Sequence, residues 1–400
     1  VSIQPLIDAW NRFFFAPQSP VPIALYRIMY GLLVIADLAM LHGDWLTWYG
    51  KNAFMGIDTL RKVAPGPRLD LFLIIPQNDI WIQAFFWIFL LFAVFLTIGL
   101  LTRFSSVVVF VCLTSIHQRN FFILHGGDTL LRVTGFFLMF APVGAAISVD
   151  RLWRIWRGAE GPDIPLQAPW AQRLIQIQVA FLYFGTFYSK MLGSDWIHGT
   201  ALYYTTRLSQ YYRFPAPALD ATAAKIATWS TLAVEFSLSV LIWFRQVRYW
   251  ILLLGICLHL SIEYSMNIPL FQWIIMATYI TFIDAADLSR AAHLLANRWR
   301  WDVIEVFYNR CSGEAIRKVT LLRVFDVFGR LRLTQIESSD VLESLPDPGR
   351  VFIKAGGSFY TGYRAVLFLA KALPAFWVLA PFSFLSRNPV ISRKATAHVK

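Results

Sequence analysis

The chain has 400 residues, 57% of them apolar and only 15% charged, with a formal net charge of +12. An ordinary soluble domain carries roughly a quarter charged residues, so the composition excludes one and reads as a polytopic α-helical membrane protein. The positive balance then belongs to basic loops at an anionic membrane surface, not to a nucleic-acid site.

In chain order, residues 1–21 form an amphipathic lead-in. Trp10 and Phe13–Phe15 suit a membrane interface, and Pro17, Pro20 and Pro22 end the stretch. It lacks a basic region and a small-residue cleavage site, so a removed signal peptide is not expected. Eight apolar spans are predicted at about 22–41, 80–98, 104–124, 129–147, 170–189, 226–244, 249–263 and 269–283. Arg27 and Asp37 interrupt the first. They stand about 15 Å apart along a helix, so each needs another partner.

Loop 42–79, rich in Trp, Gly and Pro, can cap or re-enter the membrane face if its backbone is buried in protein. Arg151, Arg154 and Arg157 fall three apart beside Trp153 and Trp156, which predicts a membrane-surface helix. Gln172 and Gln176 share a face of the fifth span, and Glu235 lies near the middle of the sixth. His259, Glu263, Asn267 and Gln272 gather near the last hairpin turn. An even number of spans returns both termini to one side, and the density of Lys and Arg makes that side cytoplasmic. His125, Asp128, Lys190 and His198 then lie at the opposite face.

From about Trp301 the composition changes to a small α/β domain. Strands are predicted at 303–308, 331–334, 351–354 and 358–360, with a helix around 312–325. Gly356-Gly357 signals a hairpin, and amphipathic stretches follow at 361–373 and 375–385. The expected organisation is a membrane bundle over 1–290, a basic linker over 291–300 and a tail domain over 301–390.

Two polar clusters sit at the ends of predicted spans, where unpaired charge is expensive. The first carries Arg119, Asn120, His125 and Asp128; the second carries Tyr188, Lys190, Asp195, Trp196 and His198. Lys190 is either a partly desolvated base or a snorkelling or paired ammonium, and spacing alone favours the second. Asp128 either caps the next helix or meets a substrate. Arg119 and Asn120 either bind an anion or leave Arg119 to satisfy Asp128. Gly126-Gly127 marks a tight turn or a close backbone approach. Tyr188, Asp195, Trp196 and His198 either orient a headgroup or quinone or anchor the interface. A Glu235–Arg27 pair across the bundle is a further expectation.

Cys112, Cys257 and Cys311 are far apart, which excludes a zinc or iron–sulfur cysteine pattern, and no metal is expected. Cys112 and Cys257 read as small buried hydrophobes. Cys311 stands between a predicted strand and helix, where a helix N-terminus favours a thiolate. Glu314 occupies the third position on, so a dithiol motif is absent and a structural cysteine is the leading reading.

R-N-F-F-I-L-H-G-G-D at 119–128 and Y-F-G-T-F-Y-S-K-M-L-G-S-D-W-I-H-G-T-A at 183–201 carry a resemblance. Over residues 10–290 the chain resembles the horizontally transferred transmembrane domain family, bacterial relatives of vitamin K-dependent gamma-glutamyl carboxylase. The resemblance implies a bacterial inner-membrane protein, and it makes Lys190 the candidate for the base that acts on reduced vitamin K. Anchored on Asp195-Trp196 without a gap, Met191 stands at that position instead. The carboxylase's histidine shortly after an asparagine has no match beside Asn120, since Phe121 and Phe122 follow and His125 arrives later. F-Y-N-R-C-S-G-E at 307–314 makes the tail resemble the DCC family of thioredoxin-like domains in degraded form, with Cys311 as the surviving cysteine.

The leading expectation is therefore an accessory or scaffolding subunit that binds lipid or a quinone and docks other integral membrane proteins. A carboxylase-like enzyme using Lys190 on a quinol or peptide stands second. A thiol-redox protein working through Cys311 stands third.

Overall fold

The computed structural model describes residues 3–214, 218–298, 303–309, 311–326, 329–336, 351–355 and 358–373. They form two compact units, one of residues 1–149 and 165–283 and the other of 150–164 and 284 onward.

The first unit is helical. α1 (Gln4–Phe15) leaves Leu6 and Trp10 exposed, and α2 (Val21–Leu41) packs on α5 (Asp79–Ile98). α5 starts where Asn78 Oδ1 accepts from Trp81 N at 3.1 Å. It stops at Gly99, whose φ of +74° lets Leu100 N return to Phe95 O at 2.9 Å. Between α2 and α5, the short helices α3 (Trp45–Tyr49) and α4 (Ile57–Val63) fold the long loop onto the bundle. Trp45, Tyr49 and Phe72 enter the core there, and Trp45 Nε1 donates to Ile82 O at 3.1 Å. Most of residues 42–79 are nonetheless exposed, so these buried side chains pin the loop to the bundle without covering its backbone.

α6 (Thr102–Arg119), α7 (Gly126–Leu138), α9 (Trp170–Met191), α12 (Ala221–Val240), α13 (Arg248–Ser265) and α14 (Phe271–Thr278) complete the long elements. Short helices α10 (Ser194–His198) and α11 (Ala201–Thr205) follow α9. A helix stands at each of the eight expected positions, but not at the expected lengths. α6 ends five residues early because Asn120 turns extended and its Oδ1 accepts from Phe122 N at 3.3 Å. α7 stops at Leu138 rather than 147, since Pro142 lacks an amide hydrogen and disfavours helix at the residue before it. α14 gives way to a 3₁₀ segment, Tyr279–Phe282. By length and composition, three described helical stretches can cross a membrane: Val21–Tyr49, Asp79–Ile98 and Ala221–Trp243.

Arg27 and Glu235 do not pair. The wholly buried Arg27 guanidinium donates to Val143 O at 2.8 Å, Ile147 O at 2.6 Å and Thr97 O at 3.3 Å. These carbonyls end α5 and line the segment after α7, so the arginine substitutes for missing helical hydrogen bonds. Gln172 and Gln176 both donate to Thr281 O, at 2.7 and 2.5 Å, and so tie α9 to the 3₁₀ segment through the face they share.

The second unit holds a four-stranded sheet in the order β2-β1-β3-β4. β1 (Ile304–Tyr308) runs parallel to β2 (Leu331–Gln335) and antiparallel to β3 (Val351–Ala355), which pairs antiparallel with β4 (Ser358–Thr361). α16 (Gly313–Phe325) links β1 to β2 and opens on Ser312, whose Oγ accepts from Ala315 N at 3.2 Å. Ile304, Val306, Val319 and Ile353 share a core with Leu369 from the last helix, α17 (Gly362–Ala372). The stretch predicted as the start of a linker is helical, as α15 (Ala285–Arg298).

α8 (Val149–Trp156) begins the other stretch of this unit. Its arginines do not share one exposed face. Arg151 is buried, with Nε on Glu160 Oε1 at 2.8 Å, while Arg154 Nε reaches Glu160 Oε2 at 2.7 Å. Gly158, at φ +74°, turns the chain back so that Glu160 meets both. The Gly356-Gly357 turn, the end of the linker beyond residue 298 and the stretch 375–385 lie outside the described residues.

Candidate functional site

α9 carries Tyr183 and Lys190 seven residues apart, two helical turns, so both lie on one face of the helix. Lys190 Nζ forms an ion pair with Glu235 on α12 and lies 4.7 Å from the centroid of the Trp196 ring, a cation–π distance. The lysine side chain is 24% exposed and the glutamate 9%, so the pair is mostly withdrawn from solvent. Of the other residues predicted beside Lys190, Tyr188, Asp195 and His198 are exposed. Asp195 Oδ1 accepts from Thr200 Oγ1 at 3.0 Å.

Next to this pair runs a buried hydrogen-bonded line. The Tyr183 hydroxyl lies 2.6 Å from His259 Nε2 and 2.5 Å from the Tyr279 hydroxyl, and His259 Nδ1 lies 2.5 Å from Gln272 Oε1. An amide oxygen only accepts, so Nδ1 bears the hydrogen and Nε2 accepts from Tyr183. The Tyr183 oxygen then accepts from Tyr279. With a neutral His259, each proton in the line then has one direction.

The earlier motif reaches the same helix, α14, by another route. His125 caps α7: its Nδ1 accepts from Gly127 N at 3.0 Å, and Asp128 Oδ2 accepts from His125 N at 2.8 Å. Asp128 is therefore a capping residue and makes no hydrogen bond with Arg119. The His125 ring meets Phe271 edge-on at 5.7 Å. A Cβ at Gly127 would come within 3.2 Å of the Phe271 backbone and 2.8 Å of the His125 ring, so the glycine permits this approach. Phe271 and its neighbour Gln272 thus join the two motifs at the start of α14.

A family model for the HTTM domain matches residues 15–286. The chain belongs to the HTTM family. HTTM proteins form a membrane family related to the carboxylase. Uncharacterized protein YitO of Bacillus subtilis (strain 168) is similar, with 27% identity over 233 residues that cover 54% of this chain and 73% of YitO. No solved structure matches. The HTTM match contains both motifs and every residue of the Lys190 and His259 groups; it ends within α15, before the sheet.

Within the HTTM domain, sequence reasoning singled out Lys190 but missed its partner and the role of Tyr183. The seven-residue spacing of Tyr183 and Lys190 was the available signal. His259 and Gln272 were visible as neighbours of one turn, but Tyr279 carried no signal beyond its aromatic ring. In the second unit Cys311 is exposed, with its backbone N donating to Asn309 Oδ1 at 2.8 Å. Glu314 pairs with Lys318 at 2.6 Å. A cavity of about 250 Å³ opens between Tyr308, Arg323 and Gln335, and Cys311 is not among its lining residues. Among the described residues no group of three or more His, Cys, Asp or Glu is placed to hold a metal.

Proposed function

We propose that this HTTM protein is an accessory subunit of a membrane complex, and that its bundle holds a quinone or lipid headgroup at the Lys190–Glu235 pair. The observation that carries the reading is the placement of Lys190, whose Nζ meets the Glu235 carboxylate and the Trp196 ring. An ammonium held by a buried carboxylate and an indole face donates hydrogen bonds well, and it has no free lone pair with which to abstract a proton. The Tyr183–His259–Gln272 line beside it supplies polar groups that can follow the protonation of a bound headgroup. The exposed Tyr188, Asp195 and His198 suit anchoring at an interface. The reading carries eight spans in a bacterial inner membrane with both termini cytoplasmic, and other integral membrane proteins as partners.

Purification of the full chain from native membranes in gentle detergent, followed by mass spectrometry of proteins and lipids, tests it. A stoichiometric protein complex with a quinone or lipid that is lost on Lys190→Ala is the expected result. A lone chain that fixes carbon dioxide with quinol, and loses that activity on Lys190→Ala, would reverse the reading.

That second outcome is the carboxylase-like alternative. It is favoured by one feature of the pair: transfer of the ammonium proton to Glu235 leaves a neutral amine, a base, in the same place. For the second unit, the order β2-β1-β3-β4 with β3 antiparallel to its neighbours, and Cys311 between β1 and α16, support a thioredoxin-like reading. A partner trapped as a mixed disulfide by the wild type and not by Cys311→Ser would favour thiol exchange there.

A further inference from the structure

Arg119 ends α6 and is 1% exposed, yet among the described residues its guanidinium donates no hydrogen bond, and Nε and Nη1 are fully enclosed. The ordinary work of an arginine in a last helical turn is to bond the helix's free carbonyls. Here that work is done by another residue: Arg68 Nη1 donates to Gln118 O at 3.2 Å. Nor does Arg119 serve Asp128, which caps α7.

The surroundings show what the guanidinium lacks. The carboxylate whose field reaches Arg119 is Asp70, and the same carboxylate faces Arg68. Asp70 is buried and spends Oδ1 on Phe72 N at 2.9 Å. Asp70 is thus shared between Arg68 and Arg119, and it makes no hydrogen bond with the Arg119 guanidinium. Next in sequence, the buried Asn120 uses Oδ1 on Phe122 N, while its amide Nδ2 is enclosed and has no partner. The unmet groups at this corner are the Arg119 and Asn120 donors and one acceptor, Asp70 Oδ2, and a buried unmet donor costs about 1–3 kcal/mol, more when charged.

We propose that Arg119 and Asn120 form a buried receptor for a singly charged oxyanion, either a small free carboxylate or the phosphodiester of a lipid headgroup. The acceptor oxygens of such an anion meet the guanidinium and amide hydrogens together, and its charge offsets that of Arg119. A doubly charged phosphate would be repelled more strongly by Asp70. The site is formed by the end of α6 and the Asp70–Phe72 turn; it is separate from Lys190 and does not depend on the reading given to that pair.

The test uses the full chain in phosphatidylcholine nanodiscs in low-chloride buffer. ¹³C-formate is titrated in one arm, and phosphatidylglycerol is added to the discs in the other. Saturable formate binding that weakens about ten- to a hundredfold in Arg119→Gln, and less in Asn120→Ala, is expected for a free carboxylate. Retention of phosphatidylglycerol, competed by formate and lost in Arg119→Gln, identifies the lipid source. Arg61→Gln, at an exposed site, should leave both arms unchanged. If Arg119→Gln fails to fold, Asn120→Ala carries the comparison. Absence of saturable binding in the wild type (ordered water as the occupant) or equal binding by the variants that fold overturns the proposal.

Discussion

Tyr183 donates its hydroxyl hydrogen to His259 Nε2 at 2.6 Å and accepts from Tyr279 at 2.5 Å, so one buried oxygen joins α9, α13 and the 3₁₀ segment after α14. Its neighbours depend on it unequally. Tyr183→Phe strands an acceptor on His259 and a donor on Tyr279, whereas Tyr279→Phe strands neither, because Tyr183 still donates to His259. Tyr183→Phe should therefore lower stability by about 1–3 kcal/mol and Tyr279→Phe by less. Unfolding of the two variants in the same detergent checks the order; a larger loss for Tyr279→Phe would contradict the assigned proton directions.

Lys190 and Glu235 make a related prediction with a different sign structure. Removing one member leaves the other charge mostly buried, which costs about 3–5 kcal/mol, while replacing both with apolar residues is often neutral. Lys190→Met should be strongly destabilising, and Lys190→Met with Glu235→Leu should recover most of the loss. If the double variant is no more stable than the single one, the pair is not what holds Lys190.

These contacts also mark where the sequence stopped being legible. The sheet strands and the close approach at Gly127 follow from local signals, alternation and paired glycines, and the helix after Cys311 stands where it was expected. The shared face of Gln172 and Gln176 follows from helical period. Pairing does not. Arg27, Lys190 and Glu235 each needed a partner, but the partner lies on another helix, and hydrophobic period says nothing about which helices adjoin. Arg27 met backbone carbonyls exposed by the early stop of α7, and that stop was missed because the apolar run continues through Pro142. Arg151 was placed on a surface because the return turn at Gly158, which brings Glu160 to it, has no hydrophobic pattern.

Glu160 gives a pH prediction in the second unit, outside the spans. Burial works to raise its carboxyl, and the hydrogen bonds and charges of Arg154 and Arg151 more than reverse this, so it is held below the usual glutamate range. A folded value below the unfolded one contributes stability that is fully present above the unfolded value, about 4.3, and is lost as pH falls through the folded value. Glu160→Gln should therefore be less stable than wild type at pH 7, and the gap should narrow as pH falls below about 4. Thermal midpoints of both chains from pH 7 to pH 3 check this; a gap that widens on acidification would show that the arginines are not its source.

The three cysteines separate the kinds of surface this protein presents. Cys112 on α6 is buried, while Cys257 on α13 and Cys311 before α16 are exposed. Exposure on α13 means contact with lipid if that helix spans the membrane, and exposure at Cys311 means contact with water. In nanodiscs a charged maleimide should modify Cys311 promptly, an apolar maleimide should modify Cys257 as well, and Cys112 should react only after unfolding. Mass spectrometry of digested protein reads all three positions at once. Rapid modification of Cys257 by the charged reagent would place that face of α13 in water, and the span at 249–263 would then have to be abandoned, since a helix with Trp250, Leu253 and Leu254 exposed would be facing solvent.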